Sequence, residues 1–168
     1  MKVLVATVPV SLFLVLVAAV GFVAAEGTTS VRSCNGAPTP EVQMLTNNTL
    51  CPQSPCVVRP GTDLVLHMRF KSPRYLEKIK LQVIAKALGV TLDYPLFQDD
   101  ACVGISNTYC PIVKHETVEY SYTMHLLDIF PEASVNLAFS LIDLDHKSDE
   151  NADVLCFEID IQLKKDYQ

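Results

Sequence analysis

The chain has 168 residues, a length that suits a single domain built on one hydrophobic core. Its 13 Lys and Arg stand against 19 Asp and Glu, a net charge of −6. That balance argues against a nucleic-acid-binding surface, which needs a basic face, and against spontaneous docking on anionic membranes.

The N-terminus sets the compartment. Met1-Lys2 precedes an apolar run over residues 3–23, then Ala24-Ala25-Glu26. One basic residue, a long apolar segment and small residues before the cut describe a secretory signal peptide over residues 1–25. The run is also long enough to span a bilayer, so an uncleaved anchor is the alternative; Pro9 and the Ala-rich end favour cleavage. The mature chain, residues 26–168, loses Lys2 and keeps 12 basic against 19 acidic residues, a net of −7.

Six cysteines in an exported chain predict disulfides rather than metal or redox chemistry. Cys51 and Cys56 enclose a Pro-rich turn suited to a local bridge, and Cys102 and Cys110 bracket a second short loop. Cys34 and Cys156 are left to join the two ends of the domain. Paired CxxC or Cys/His spacings that would hold a metal are absent.

Between the cysteines the chain alternates apolar and polar residues with period two, the pattern of half-buried strands. Val42 and Met44 begin a short strand, and Leu64, Leu66, Met68 and Phe70 mark the next. Ile79, Leu81 and Val83 mark a third, which Leu88, Val90 and Leu92 continue after a kink near residues 85–87. The pattern organising the chain covers residues 118–131, where Val118, Tyr120, Tyr122, Met124 and Leu126 share one face before Phe130-Pro131. Val135, Leu137, Phe139 and Leu141 form another, and Phe157, Ile159, Ile161 and Leu163 the last. Turn signals separate them: Arg59-Pro60-Gly61, Ser72-Pro73 and the polar run over residues 145–153. Six or seven short strands without helical periodicity predict an all-β, immunoglobulin-like β-sandwich. The chain has no Trp and its end-joining cysteines are placed differently from those of antibody domains, which excludes that subtype.

Cys34-Asn35-Gly36, the Cys51-Pro-x-x-Pro-Cys56 loop, Arg59-Pro60-Gly61, Cys110-Pro111-Ile112, Phe130-Pro131 and Cys156-Phe157-Glu158-Ile159 occur in a distinctive order. Together they resemble the ML lipid-recognition family, which includes the soluble Niemann–Pick type C sterol-transfer protein and the group-two mite allergens. The resemblance spans the mature chain. It implies a sandwich of about seven strands, three disulfides paired as the spacing pairs them, and an apolar cavity between the sheets for a sterol, fatty acid or glycolipid tail.

The resemblance also assigns pocket positions. Tyr94 matches a sterol-contacting aromatic, and Met124, Leu126 and Phe130 match tunnel-lining residues. Phe139, Leu64 and Val58 fall where the sterol carrier has Trp, Tyr and Leu. Phe130 lacks the hydroxyl of the family's Tyr and Asp93 replaces a Pro, changes that leave the pocket apolar and the choice between sterol and fatty acid open. From periodicity alone, Met124, Leu126 and Phe139 read as ordinary core; the resemblance reverses that reading.

No catalytic constellation emerges: the chain lacks a Gly-x-Ser-x-Gly elbow, a His-Glu-x-x-His motif and a Gly-rich phosphate loop. His67 and His125 sit on polar strand sides, and His115 and His146 in loops. Asp99-Asp100 reads as a solvated turn. The acidic run over residues 143–150 hints at calcium, but Lys147 and Ser148 stand where a loop site needs an oxygen ligand and Gly, so it reads as a hairpin loop. Asn47-Asn48-Thr49 is an N-glycosylation acceptor at Asn47. The expectation is a monomeric, secreted or lysosomal lipid carrier, without cofactor or enzymatic activity, in transient contact with a membrane or a membrane sterol transporter. The alternatives are an extracellular immune-accessory or allergen-like module with a filled core, and a hydrolase with an unrecognised site.

Overall fold

The structure is a computed structural model and describes residues 27–34, 36, 38–146 and 152–165. The expected signal peptide lies outside the described residues. Ten strands build two sheets: β1 (Arg32–Ser33), β2 (Glu41–Thr46), β3 (Thr49–Leu50), β4 (Cys56–Val58), β5 (Asp63–Lys71), β6 (Ile79–Ala87), β7 (Val90–Asp93), β8 (Thr117–His125), β9 (Ala133–Asp143) and β10 (Asp153–Leu163). One sheet runs β1-β10-β9-β6-β7, with β4 alongside β10; the other runs β3-β2-β5-β8. All pairings are antiparallel except β4 with β10.

The alternation read from the sequence sets which faces meet. Leu64, Leu66, Met68 and Phe70 of β5 lie directly opposite Met124, Tyr122, Tyr120 and Val118 of β8, so one apolar face spans both strands. Leu137, Phe139 and Leu141 of β9 carry the facing layer with Leu81 and Val83 of β6 and Phe157 and Ile159 of β10. These side chains form one continuous buried cluster. Phe139 stacks on its cross-strand partner Phe157, with ring centroids 5.2 Å apart.

Two boundaries differ from the sequence reading. The segment expected to continue past a kink at residues 85–87 reverses instead: Leu88 (φ 52°) and Gly89 (φ 78°) make a two-residue turn, and β7 folds back on β6. Two consecutive positive φ values are the signature of a tight hairpin turn, which Gly accepts freely and Leu at a cost on the order of 1 kcal/mol. The organising strand stops at His125, and residues 126–131 leave the sheet. Asn47 and Asn48, both at positive φ, make the equivalent turn between β2 and β3, where short amide side chains tolerate the left-handed region.

Three disulfides link Cys34 to Cys156, Cys51 to Cys56 and Cys102 to Cys110. The first pins the start of the domain to the outer face of β10, beside Ala138. The second joins the turn after β3 to β4, and the third closes the loop that carries the chain from the β6–β7 edge to β8.

A seam between two sheet edges as candidate lipid site

β6 and β7 end one sheet and β8 ends the other, and the chain between β7 and β8 crosses the gap. At one end of this seam the crossing is sewn by backbone. Ser106 donates its N–H to the Glu119 carbonyl at 2.9 Å, and Ile105 bridges to Tyr120. The fit there is close: a Cβ on Gly104 would lie 2.5 Å from the Tyr120 ring and 2.6 Å from the Ser121 carbonyl oxygen. At the other end the inner side of the β6–β7 hairpin is left uncovered. Antiparallel partners share a face, so Val90 and Leu92, opposite Ala87 and Ala85, point to the inner side of their sheet. Ala85 is buried in the core, yet Val90 is 58 % exposed and Leu92 48 % exposed. The second sheet does not reach far enough to cover them.

Tyr94 and Phe130 span this end. Tyr94 follows β7 along β6, its N–H bonded to the Val83 carbonyl at 2.7 Å. Its hydroxyl donates to the main-chain carbonyl of His125 on β8 at 2.9 Å. The Phe130 ring lies tilted beside it, centroids 6.3 Å apart. Tyr122 faces the same slot, and its phenol is pushed above the ordinary pKa by burial first and then by nearby Tyr94 and Asp99. Burial raises Tyr94 as well, so both hydroxyls stay protonated donors in neutral and acidic solution. At the rim, His125 Nδ1 lies 2.7 Å from the Asp63 carboxylate. Leu127 and Ile129 after β8, Leu88 on the β6–β7 turn and Phe97 after β7 are exposed.

All seven positions assigned from the resemblance belong to the core or pack against it, and they divide into two groups. Val58, Leu64, Met124, Leu126 and Phe139 are buried, each no more than 2 % exposed. Side chains so enclosed border no water-sized void. Around these five residues the inter-sheet space is filled by the protein's own side chains; a concavity of about 530 Å³, lined by Phe70 of one sheet and Val154 and Leu155 of the other, lies toward the opposite end. Tyr94 and Phe130 are half-buried and form the mouth. Reading the sequence missed Tyr122, Val90 and Leu92 as part of this mouth, because their grouping depends on the hairpin register. A shallow concavity of about 380 Å³ lies against the hairpin, between Leu88–Val90 and Ser134–Asn136.

Other expectations find definite places. Asp99 pairs with Lys80 at 2.9 Å, and Asp100 caps the short 3₁₀ turn Ala101–Gly104 by accepting from the Cys102 N–H. Asp143, expected in a hairpin loop, is instead the fully buried last residue of β9. Its carboxylate accepts from Arg74 Nε at 2.7 Å and from the Asp145 N–H at 3.1 Å, and lies 2.9 Å from His146 Nδ1. The rest of that acidic run, residues 147–151, lies outside the described residues. Among the described residues, His, Cys, Asp and Glu do not gather in threes as a metal site would require.

The ML domain family model matches residues 28–163. The chain belongs to the ML-domain family. A Drosophila melanogaster ML-domain relative, NPC intracellular cholesterol transporter 2 homolog a, is 30 % identical over 109 residues, 65 % of this chain and 70 % of that protein. The mite group 2 allergen Lep d 2 of Lepidoglyphus destructor is 28 % identical over 124 residues, 74 % of this chain and 82 % of the allergen. The crystal structure of a Niemann–Pick type C2 protein from the Japanese carpenter ant superposes with a TM-score of 0.66 at 16 % identity, covering 80 % of this chain and 99 % of that one. At that identity the ant protein speaks for the ML sandwich fold alone.

Proposed function

We propose that this ML-domain protein is a non-enzymatic carrier that takes an apolar lipid, a sterol or a fatty acid, between its two sheets. The observation that carries the reading is the uncovered inner face at the mouth. Val90 and Leu92 face the interior side yet stay in water, beside a gap spanned by Tyr94 and Phe130. A filled structural core gains from covering such residues, because apolar surface removed from water stabilises by about 25 cal/mol per Å². A carrier gains from leaving them where a guest will cover them. The Drosophila relative bears the name cholesterol transporter, which favours a sterol among the candidate guests.

Loading then proceeds through the seam. The guest's apolar end displaces Tyr94 from Phe130, slides past Leu126 and Met124, and parts the sheets toward Leu64, Val58 and Phe139. Leu88 on the β6–β7 turn, Leu127 and Ile129 after β8 and Phe97 after β7 are exposed, and apolar residues of that kind suit transient contact with a membrane or a membrane sterol transporter during transfer. The signal peptide over residues 1–25, secretion or delivery to the lysosomal lumen, a glycan on exposed Asn47 and a monomeric state complete the proposal.

The packed inter-sheet side chains favour one rival, an extracellular interaction module whose core is simply full. Organic extraction of the purified protein followed by mass spectrometry, with titration of a fluorescent sterol and a fluorescent fatty acid, separates the two. A carrier brings a lipid with it or binds a probe at micromolar concentration or below. Empty extracts and no probe binding would leave the module.

A further inference from the structure

The free edge of β8 is held in two different ways along its length. In the β5–β8 register, Asp63 lies opposite His125, and Leu126 exchanges its main-chain bonds with residues 61–62. Alternate residues of an antiparallel strand direct their N–H and C=O groups away from the partner, here toward the open edge. Glu119 has its outward carbonyl bonded by the Ser106 N–H, a backbone stitch. His125, six residues on and therefore pointing the same way, has its carbonyl bonded by the side chain of Tyr94. This half of the seam is thus held by a hydroxyl that can be exchanged without unfolding any strand.

We propose that the Tyr94 hydroxyl is the specificity-determining group of the lipid site. In the empty protein it closes the seam onto the His125 carbonyl. When a guest parts the seam, the same hydroxyl turns to the guest's polar end. This deepens the carrier reading and rests on it. The chemistry it selects is a lipid with one small hydrogen-bonding head, a hydroxyl or a carboxyl, over the same skeleton without it. The slot offers phenol hydroxyls from Tyr94 and Tyr122, and the apolar side chains of Phe130, Leu92 and Val90 line the rest. A bare hydrocarbon breaks the Tyr94–His125 bond and returns nothing to the half-buried phenol, while water takes up the exposed His125 carbonyl. Raised by burial, the phenol keeps its proton in neutral and acidic solution and remains a donor in both the closed and the loaded state.

The test compares matched guests on the wild type and on Tyr94→Phe, which keeps the ring and its contact with Phe130. Guests displace the fluorescent probe N-phenyl-1-naphthylamine: cholesterol against 5-cholestene, which lacks the hydroxyl, and hexadecanoic acid against hexadecane. The expected wild-type preference for the polar-headed member of at least one pair is roughly fivefold to tenfold, the scale of one hydrogen bond. In Tyr94→Phe that preference falls to about one, and the probe dissociates several-fold faster because the seam opens more readily. The sterol pair and the acid pair distinguish the two sources of the polar head. Equal affinities within both pairs in the wild type, or a preference unchanged in Tyr94→Phe, overturns the proposal while leaving the carrier reading intact. A wild type that binds neither the probe nor any guest overturns both.

Discussion

At the end of the sandwich where β6 begins and β9 finishes, a buried carboxylate ties three segments together. Asp143 accepts from Arg74 on the β5–β6 connection, contacts His146, and has its own N–H bonded to the Ala152 carbonyl. The Cys34–Cys156 bridge holds the start of the domain to β10 at the crossover toward that end. At the opposite end, Tyr94 and Phe130 close the gap with a hydroxyl and a ring contact. Separating the first set strands a charge in the interior, whereas separating the second costs about 1 kcal/mol of neutral hydrogen bond. The same two sheets are therefore locked at one end and latched at the other. On the proposed carrier reading, a guest enters through the latched end.

The comparison is broken most severely by removing the long disulfide. Its 122-residue separation constrains the unfolded chain, so replacing both Cys34 and Cys156 with Ala is expected to cost up to about 5 kcal/mol by the chain-entropy estimate. Urea unfolding measures it, and a loss under about 1 kcal/mol would mean the locked end does not depend on the bridge. Next comes Arg74→Ala, which leaves Asp143 buried with its main cation gone. A fully buried pair would cost about 3–5 kcal/mol to break; with Arg74 28 % exposed, about 2–3 kcal/mol is expected. Lipid affinity should be unchanged, and a large change would show that the two ends are coupled.

Leu126→Phe sharpens the comparison from the other side. Leu126 is 2 % exposed just beyond the end of β8, so a larger ring overpacks the empty form by about 1–3 kcal/mol. The same ring occupies the guest's path and should weaken binding about tenfold, or about 1.4 kcal/mol. Probe titration beside thermal melts reads both, and binding that is undiminished takes Leu126 out of the path.

The smallest expected effect is on pH dependence. Burial pulls the Asp143 pKa upward, but the bonds from Arg74, the Asp145 N–H and His146 outweigh it, and the result lies below the ordinary carboxylate value. Asp160 is lowered to about 2, first by its bond from Arg32 and then by Asn136. A depressed folded-state pKa contributes stability that is complete above the unfolded value and is lost as pH falls through the folded one. Melting temperature should therefore hold steady down to about pH 4 and decline below it, with a shallower decline in Arg74→Ala. A decline setting in above about pH 5 would implicate other groups.

The strands with six or more residues were readable because alternation over that length has few other causes: β2, β5, β6, β8, β9 and β10 all carry it. β1, β3 and β4 were missed, being two or three residues long, too short to show a period. The β6–β7 reversal was misread because Leu88 occupies a turn position where Asn, Asp or Gly would have announced a hairpin. That one misreading hid the mouth. As a continued strand, Val90 and Leu92 are more core; folded back, they become the uncovered lip.

What the sequence determined by itself was whatever depends on neighbours along the chain: faces of strands, short disulfide loops and the order of motifs that places the chain among ML domains. What the tertiary structure decided depends on partners far apart in the chain. Arg74 meets Asp143 across 69 residues and Tyr94 meets His125 across 31, and no local pattern encodes either meeting. Periodicity reports which side of a strand is apolar. Whether another sheet covers that side depends on where each sheet ends, and at β7 and β8 the sheets end in different places.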